Sequence, residues 1–191
     1  MSMKITFELS DSDLDHFRKV MLRAREASAD LPEATIIDNA RKLLNEVWQS
    51  DTSDFIRERM HRLETMIGMV VDESWGLEAE DRANALQALS YFSEPEDLIP
   101  DDIPGLGFLD DAIMIEMVTQ DLEHEIHAYR DFCVFRAAGA SGARGTGDQA
   151  AGLEREDWLE ERRKQLHSRM RRRRRRSKSG DDGHSSPFSL F

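Results

Sequence analysis

SDFIRERMHRLETMIGMVV, Ser53–Val71, is the stretch that decides the fold. Ile56, Met60, Leu63, Ile67 and Val70 recur at spacings of four, three, four and three. Residues three and four apart share one side of an α-helix, so these five form a single apolar seam. A strand would alternate every second residue and cannot produce that pattern. A seam of this kind packs helix on helix at a shallow angle. The helix begins near Ser53, and Gly76 closes the region.

The same period extends both ways. Upstream, Pro32 opens a segment whose stripe is Ile36, Ala40, Leu43 and Val47. Before it, Ser10–Asp13 reads as a helix start, followed by Leu14, Phe17, Met21 and Ala24. Downstream, residues 78–92 turn Leu86, Leu89 and Phe92 inward. The longest helix is expected over Asp110–Phe135, with Ile115, Val118, Leu122, Ile126, Tyr129 and Cys133 on one face. Only Lys4–Leu9 alternates like a strand. A lone strand either pairs across a homodimer or lies extended over the helices. The pattern therefore predicts an all-α fold: an antiparallel bundle of about five helices, a short N-terminal extended segment and a disordered basic C-terminal tail. It divides into an acidic helical domain over 1–136, a Gly- and Ala-rich flexible linker over 137–152, and a charged helix with an Arg-rich tail over 153–191.

A chain of 191 residues can build one domain with a sizeable core. No stretch approaches the roughly 20 apolar residues of a membrane span. Met1 opens an alternating, charged segment rather than the apolar run of a secretory signal. The single Cys133 suits a reducing compartment, so a cytoplasmic location is expected, with peripheral association to a membrane or ribosome through the tail. No fixed histidine or basic neighbour is expected beside it, which favours a packed core thiol over an activated one. The net charge of −12 hides an asymmetry. Residues 162–191 hold 11 of the 26 basic residues and two of the 38 acids, which leaves the body near −21 and the tail near +9. Such a body repels nucleic acid and anionic lipid, and such a tail attracts both.

The connection YFSEPEDLIPDDIPGLGFLDD, Tyr91–Asp111, carries three of the five prolines among many carboxylates. One reading is a rigid turn: Ser93 and Glu96 form a capping box, and Asp110 caps the next helix with Leu109 and Met114 as its hydrophobic staple. A second is a hard-cation site, in which Asp97, Asp101, Asp102, Asp110 and Asp111 supply oxygens to Mg2+ or Ca2+. A third is a docking surface for a protein partner. In their order, Tyr91, Ser93, Pro95, Asp97, Leu98, Ile99, Pro100, Asp101, Pro104, Gly107, Asp110 and Asp111 resemble the signature of the bacterial YkvA-like family, over about residues 78–125. Glu94 departs from it by separating Ser93 from Pro95. The resemblance implies a small helical domain of unknown function, and so a fold more than a reaction.

His124 and His127, three apart, offer half of a zinc site, but Ala128 breaks the metalloprotease spacing and a solvated helix face is expected. No Gly-rich phosphate loop or nucleophile elbow is present. The other strong signal is basic: Arg169, Arg171, Arg172, Arg173, Arg174, Arg175, Arg176 and Lys178. A dense arginine run binds polyanions, here RNA, DNA, the ribosome or an anionic membrane, and without interleaved aromatics it reads no base sequence. The stripe Leu159, Leu166 and Met170 predicts little burial for this segment, which the acidic body can still draw back electrostatically. Ser189, Leu190 and Phe191 fit capture by a PDZ-type groove. The expectation is a non-enzymatic adaptor whose acidic body meets a protein and whose tail meets a polyanion, with no cofactor. The alternative is a divalent-metal-dependent enzyme centred on Asp97, Asp101, Asp110 and Asp111, using Mg2+ or Ca2+.

Overall fold

The computed structural model describes residues 8–93, Ile99, Ile103, 106–142 and 149–180. Among them the fold is all-α, with seven helices. They are α1 (Asp11–Ala27), α2 (Glu33–Gln49), α3 (Asp54–Val71), α4 (Ala79–Leu89), α5 (Leu109–Asp121), α6 (Glu123–Gly142) and α7 (Gln149–Gly180); a 3-10 turn, Ser90–Ser93, follows α4. The strand expected over Lys4–Leu9 falls almost wholly outside the described residues.

Helix starts follow their sequence signals. Ser10 and Asp13 form a reciprocal capping box at α1, which satisfies backbone N–H groups that have no partner within the first turn. Ser53 accepts from the Ile56 N–H at α3. The seam of α3, Ile56, Met60, Leu63, Ile67 and Val70, is buried throughout, as is the α2 stripe. Placed centrally, α3 packs against α2, α4, α5 and α6. Met21, Met60, Met66, Met69, Met114, Met117 and Met170 are all buried in the shared core, where unbranched thioether side chains fill irregular gaps.

Three expectations are corrected. The helix expected over Asp110–Phe135 is two helices, because Leu122 leaves α-helical geometry at φ −100°, ψ 18°; its apolar face stays buried across the break from Ile115 to Tyr129. The linker expected over 137–152 is helical at both ends, as α6 runs to Gly142 and α7 begins at Gln149. The charged helix expected from residue 153 is present as α7, but it is docked where little burial was expected. The run Arg171–Arg176 lies inside α7, which packs on α6 and buries Leu166 and Met170 to 2% and 1% exposure. These apolar contacts are joined by ring stacking and by cations that find acids on the body, as described below. Residues 181–191, with the C-terminal Ser189, Leu190 and Phe191, lie outside the described residues.

Candidate functional site

α3 ends in a turn that prepares the seat for α7. Asp72 caps this turn: its Oδ1 accepts from the Ser74 and Trp75 N–H groups at 3.0 and 3.3 Å. Its Oδ2 accepts from the Tyr129 hydroxyl at 3.2 Å and from Arg136 at 2.7 Å. One carboxylate thus ties the end of α3 to α6. Burial, and after it Cys133 and Asp72, holds the Tyr129 hydroxyl above its ordinary range. Gly76 follows at φ +55°, and a Cβ there would meet the Arg163 guanidinium of α7 at 3.2 Å. Trp75, fully buried, faces Tyr129 and Phe132 of α6 with ring centres 5.8 and 5.2 Å away. Further along, Trp158 of α7 stacks on Phe135 of α6 at 3.7 Å, with Arg162 over the same ring at 5.0 Å.

On this seat α7 divides its charges between two faces. One turn holds 3.6 residues, so successive side chains are about 100° apart. Leu166, His167, Met170, Arg171 and Arg174 face the body. Arg174 Nη1 donates to Asp81 Oδ1 at 2.6 Å and to Glu125 Oε1 at 2.9 Å. Both acids are only 2% exposed, so this guanidinium is the counter-charge that makes their burial tolerable. Burial nonetheless holds the Glu125 carboxyl above its ordinary range, although Arg174 pulls it down. One turn earlier, Arg171 pairs with Glu78, and the hydrogen bond it donates lowers the Glu78 carboxyl.

Arg169, Arg172, Arg173, Arg175 and Arg176 are exposed. They fan across an arc of about 160° and rise over about 10 Å of helix. Of the eight cations expected to meet a polyanion, five therefore face solvent and two are held by the body. The side chain of Lys178 lies outside the described ones. Glu160 pairs with Lys164 at 2.7 Å, as their spacing predicts.

The aspartates of the signature connection behave otherwise. Asp97, Asp101 and Asp102 lie outside the described residues. Asp110 is 3% exposed, and its Oδ2 accepts from the Ile99 N–H at 3.0 Å. It is not the cap of α5: the helix starts at Leu109, and the cap position belongs to Phe108, a buried residue at φ 64°. Asp110 thus sits inside the first turn and fastens the connection to it. Ser93 is the last residue of the 3-10 turn, and the helical turn it was expected to cap, with Glu96, lies outside the described residues. No group of three or more His, Cys, Asp or Glu is arranged to hold a metal ion among the described residues. His127 is exposed beside Glu123, at 3.7 Å. Cys133, partly buried, does have a basic neighbour, with Arg136 Nη2 at 3.9 Å from its sulfur.

Residues 82–117 match a family model described as a protein of unknown function, DUF1232. The match runs from α4 through the 3-10 turn and the signature connection into α5. It covers less than a fifth of the chain and includes Asp110 and Asp111. Asp81 and Glu125, which hold Arg174, flank the matched segment on either side. No curated protein and no solved structure matches the chain.

Sequence reasoning missed Asp72, Trp75, Asp81, Glu125 and His167. Asp81 and Glu125 did carry a signal. Asp81 shares the spacing of Ala85, Ala88 and Leu89, and Glu125 that of Leu122 and Tyr129, so each is an acid on an apolar stripe. Such a residue needs a buried cation, but nothing local says that it comes from α7.

Proposed function

We propose that this chain is a non-enzymatic nucleic-acid-associated module. In this reading the outer face of α7 binds the phosphate backbone, and the YkvA-like portion is the scaffold that presents it. The observation that carries the proposal is the exposed arc Arg169, Arg172, Arg173, Arg175 and Arg176. Duplex nucleic acid carries one charge per roughly 1.7 Å of axis, or about six over the rise of this arc. The arc is thus matched in charge density to a duplex.

The arrangement favours nucleic acid over an anionic membrane. A helix that lies in a bilayer interface inserts an apolar face. The apolar residues of α7 in this region, Leu166 and Met170, are already buried against the body. Arginines without interleaved aromatics position a backbone but do not read bases, so binding is independent of sequence. The acidic body repels the same ligand except where the arc faces it. Repulsion fades over about 8 Å at physiological salt, so the outer face of α7 is where a duplex can approach. The acidic surface away from α7 is the side left for a protein partner.

The test is a polarisation titration of a short labelled RNA duplex at several salt concentrations. The full chain is compared with Arg169→Gln/Arg172→Gln/Arg173→Gln/Arg176→Gln. Each arginine that engages a phosphate contributes about 0.9 to the slope of log affinity against log salt. The fourfold variant should bind more weakly at every salt, with a flatter slope. Equal binding by both chains would refute the proposal.

A further inference from the structure

Arg171 and Arg174 belong to the same arginine run as the exposed arc, yet the body holds both. They are held differently. Arg174 lies between two carboxylates that are each 2% exposed, so releasing it would strand two buried charges, and it is fixed. Arg171 pairs with Glu78, whose side chain is 54% exposed, while its own is 35% exposed. An exposed pair of this kind is worth at most about 1 kcal/mol, so it holds Arg171 without fixing the helix. Arg171 also borders the exposed arc, since it projects only about 40° from Arg175 around the helix axis.

We infer that Glu78 is a built-in competitor for nucleic acid, holding Arg171 off the ligand as a reserve phosphate contact that becomes available only when the Glu78 carboxylate is removed or neutralised. The inference rests on the nucleic-acid reading of α7 and supplies its regulation. Releasing Arg171 needs no undocking of the helix, because Leu166, His167 and Met170 stay buried and Arg174 stays paired. Glu78 can be changed without loss of a capping hydrogen bond in its own helix. It occupies the cap position of α4 but makes no side-chain capping hydrogen bond there.

The experiment uses the full chain and the same labelled RNA duplex, with Glu78→Gln, Arg171→Gln, these two combined, Arg172→Gln and Glu73→Gln. Glu73 is exposed nearby and has no part in the pair, so Glu73→Gln controls for the loss of one negative charge. Glu78→Gln should bind several-fold more tightly than the parent, with a salt slope steeper by about 0.9, one further phosphate contact. Arg171→Gln should change the parent little and should erase the gain in the Glu78→Gln background. Equal gains from Glu73→Gln and Glu78→Gln would reduce the effect to general repulsion and overturn the inference. So would an Arg171→Gln loss in the parent as large as that of Arg172→Gln. The fourfold arc variant separates the two levels. If it binds like the parent, the nucleic-acid reading falls. If it loses binding while Glu78→Gln gains nothing, only the competitor role falls.

Discussion

The imidazole of His167 lies nearly parallel to the indole of Trp75, with ring centres 4.2 Å apart. Its Nε2 lies 3.3 Å from the Trp75 carbonyl oxygen, and the residue is 5% exposed. Burial holds this imidazole below its ordinary pKa, against the raising effect of the Trp75 carbonyl, Glu78 and Asp81; Arg171 adds to the lowering. Above about pH 6.5 the ring is neutral in the folded and unfolded chains alike. As pH falls below that value the unfolded chain takes the proton first, so the contribution of His167 to stability declines. Glu125 has the opposite sign, because its raised pKa lets the folded chain bind its proton first. The melting temperature of the parent should therefore fall more steeply between pH 7.5 and 5.5 than that of His167→Phe, which keeps an aromatic ring on Trp75 and removes the titration. Parallel curves would rule out His167 as a source of acid sensitivity.

α7 should prove necessary to the body. Met170→Ala removes a side chain that is 1% exposed and should cost about 2–5 kcal/mol. Arg174→Met leaves Asp81 and Glu125 buried without a counter-charge and should cost about 3–5 kcal/mol. In an Asp81→Asn/Glu125→Gln background the same change should cost far less, because no charge is stranded. Urea unfolding followed by circular dichroism measures all three. Truncation after Ser168, which removes both Met170 and Arg174, should lower the midpoint more than either single change.

Gly68 gives Tyr129 its place. A Cβ at position 68 would lie 3.2 Å from the Tyr129 hydroxyl oxygen, and that oxygen is anchored on Asp72. In an open helix Gly→Ala stabilises by about 1 kcal/mol. Here the gain should be cancelled or reversed, since the ring is also packed against Trp75. Tyr129→Phe removes the obstructing atom at the cost of one hydrogen bond, about 0.5–1.5 kcal/mol. The double variant should therefore be more stable than the two single effects predict, and a thermal-melt mutant cycle reads that coupling.

Asp110 should tolerate substitution according to whether an acceptor remains. Asp110→Asn keeps an oxygen for the Ile99 N–H, whereas Asp110→Ala leaves that donor and a small void in a site that is 3% exposed. A loss of about 1–3 kcal/mol is expected for alanine, and a smaller one for asparagine. Hydrogen exchange at the Ile99 amide gives the more direct reading: fast in the alanine variant, slow in the other two.

Legibility followed how local each cause is. The stripes of α2 and α3 and the helix starts at Ser10 and Ser53 were readable because they depend on neighbours three and four residues apart. The break at Leu122 was not, since the apolar period runs through it unbroken and no Gly or Pro marks it. The start of α5 was displaced by one residue because Phe108 adopts a backbone conformation that its type disfavours. The largest error, a helix expected to bury little in place of a docked one, has a long-range cause. Six arginines in a row read as solvated until Glu78, Asp81 and Glu125 arrive from 93, 93 and 49 residues away. The arginine run was visible as a basic site, but its division into an outer arc and a held pair depends on those three acids.

The methionine-filled core makes the chain a recorder of its own opening. A thioether is oxidised by peroxide only where the reagent reaches it, and the sulfoxide that forms is a stable mark of mass +16 on a side chain. In the closed protein all seven described methionines are shielded. Each mark at Met170 thus records a departure of α7, and each at Met60, Met66 or Met69 a deeper excursion through α3. A peroxide time course read by peptide mass would order these events and show whether α7 lifts by itself or only when the interior comes apart with it.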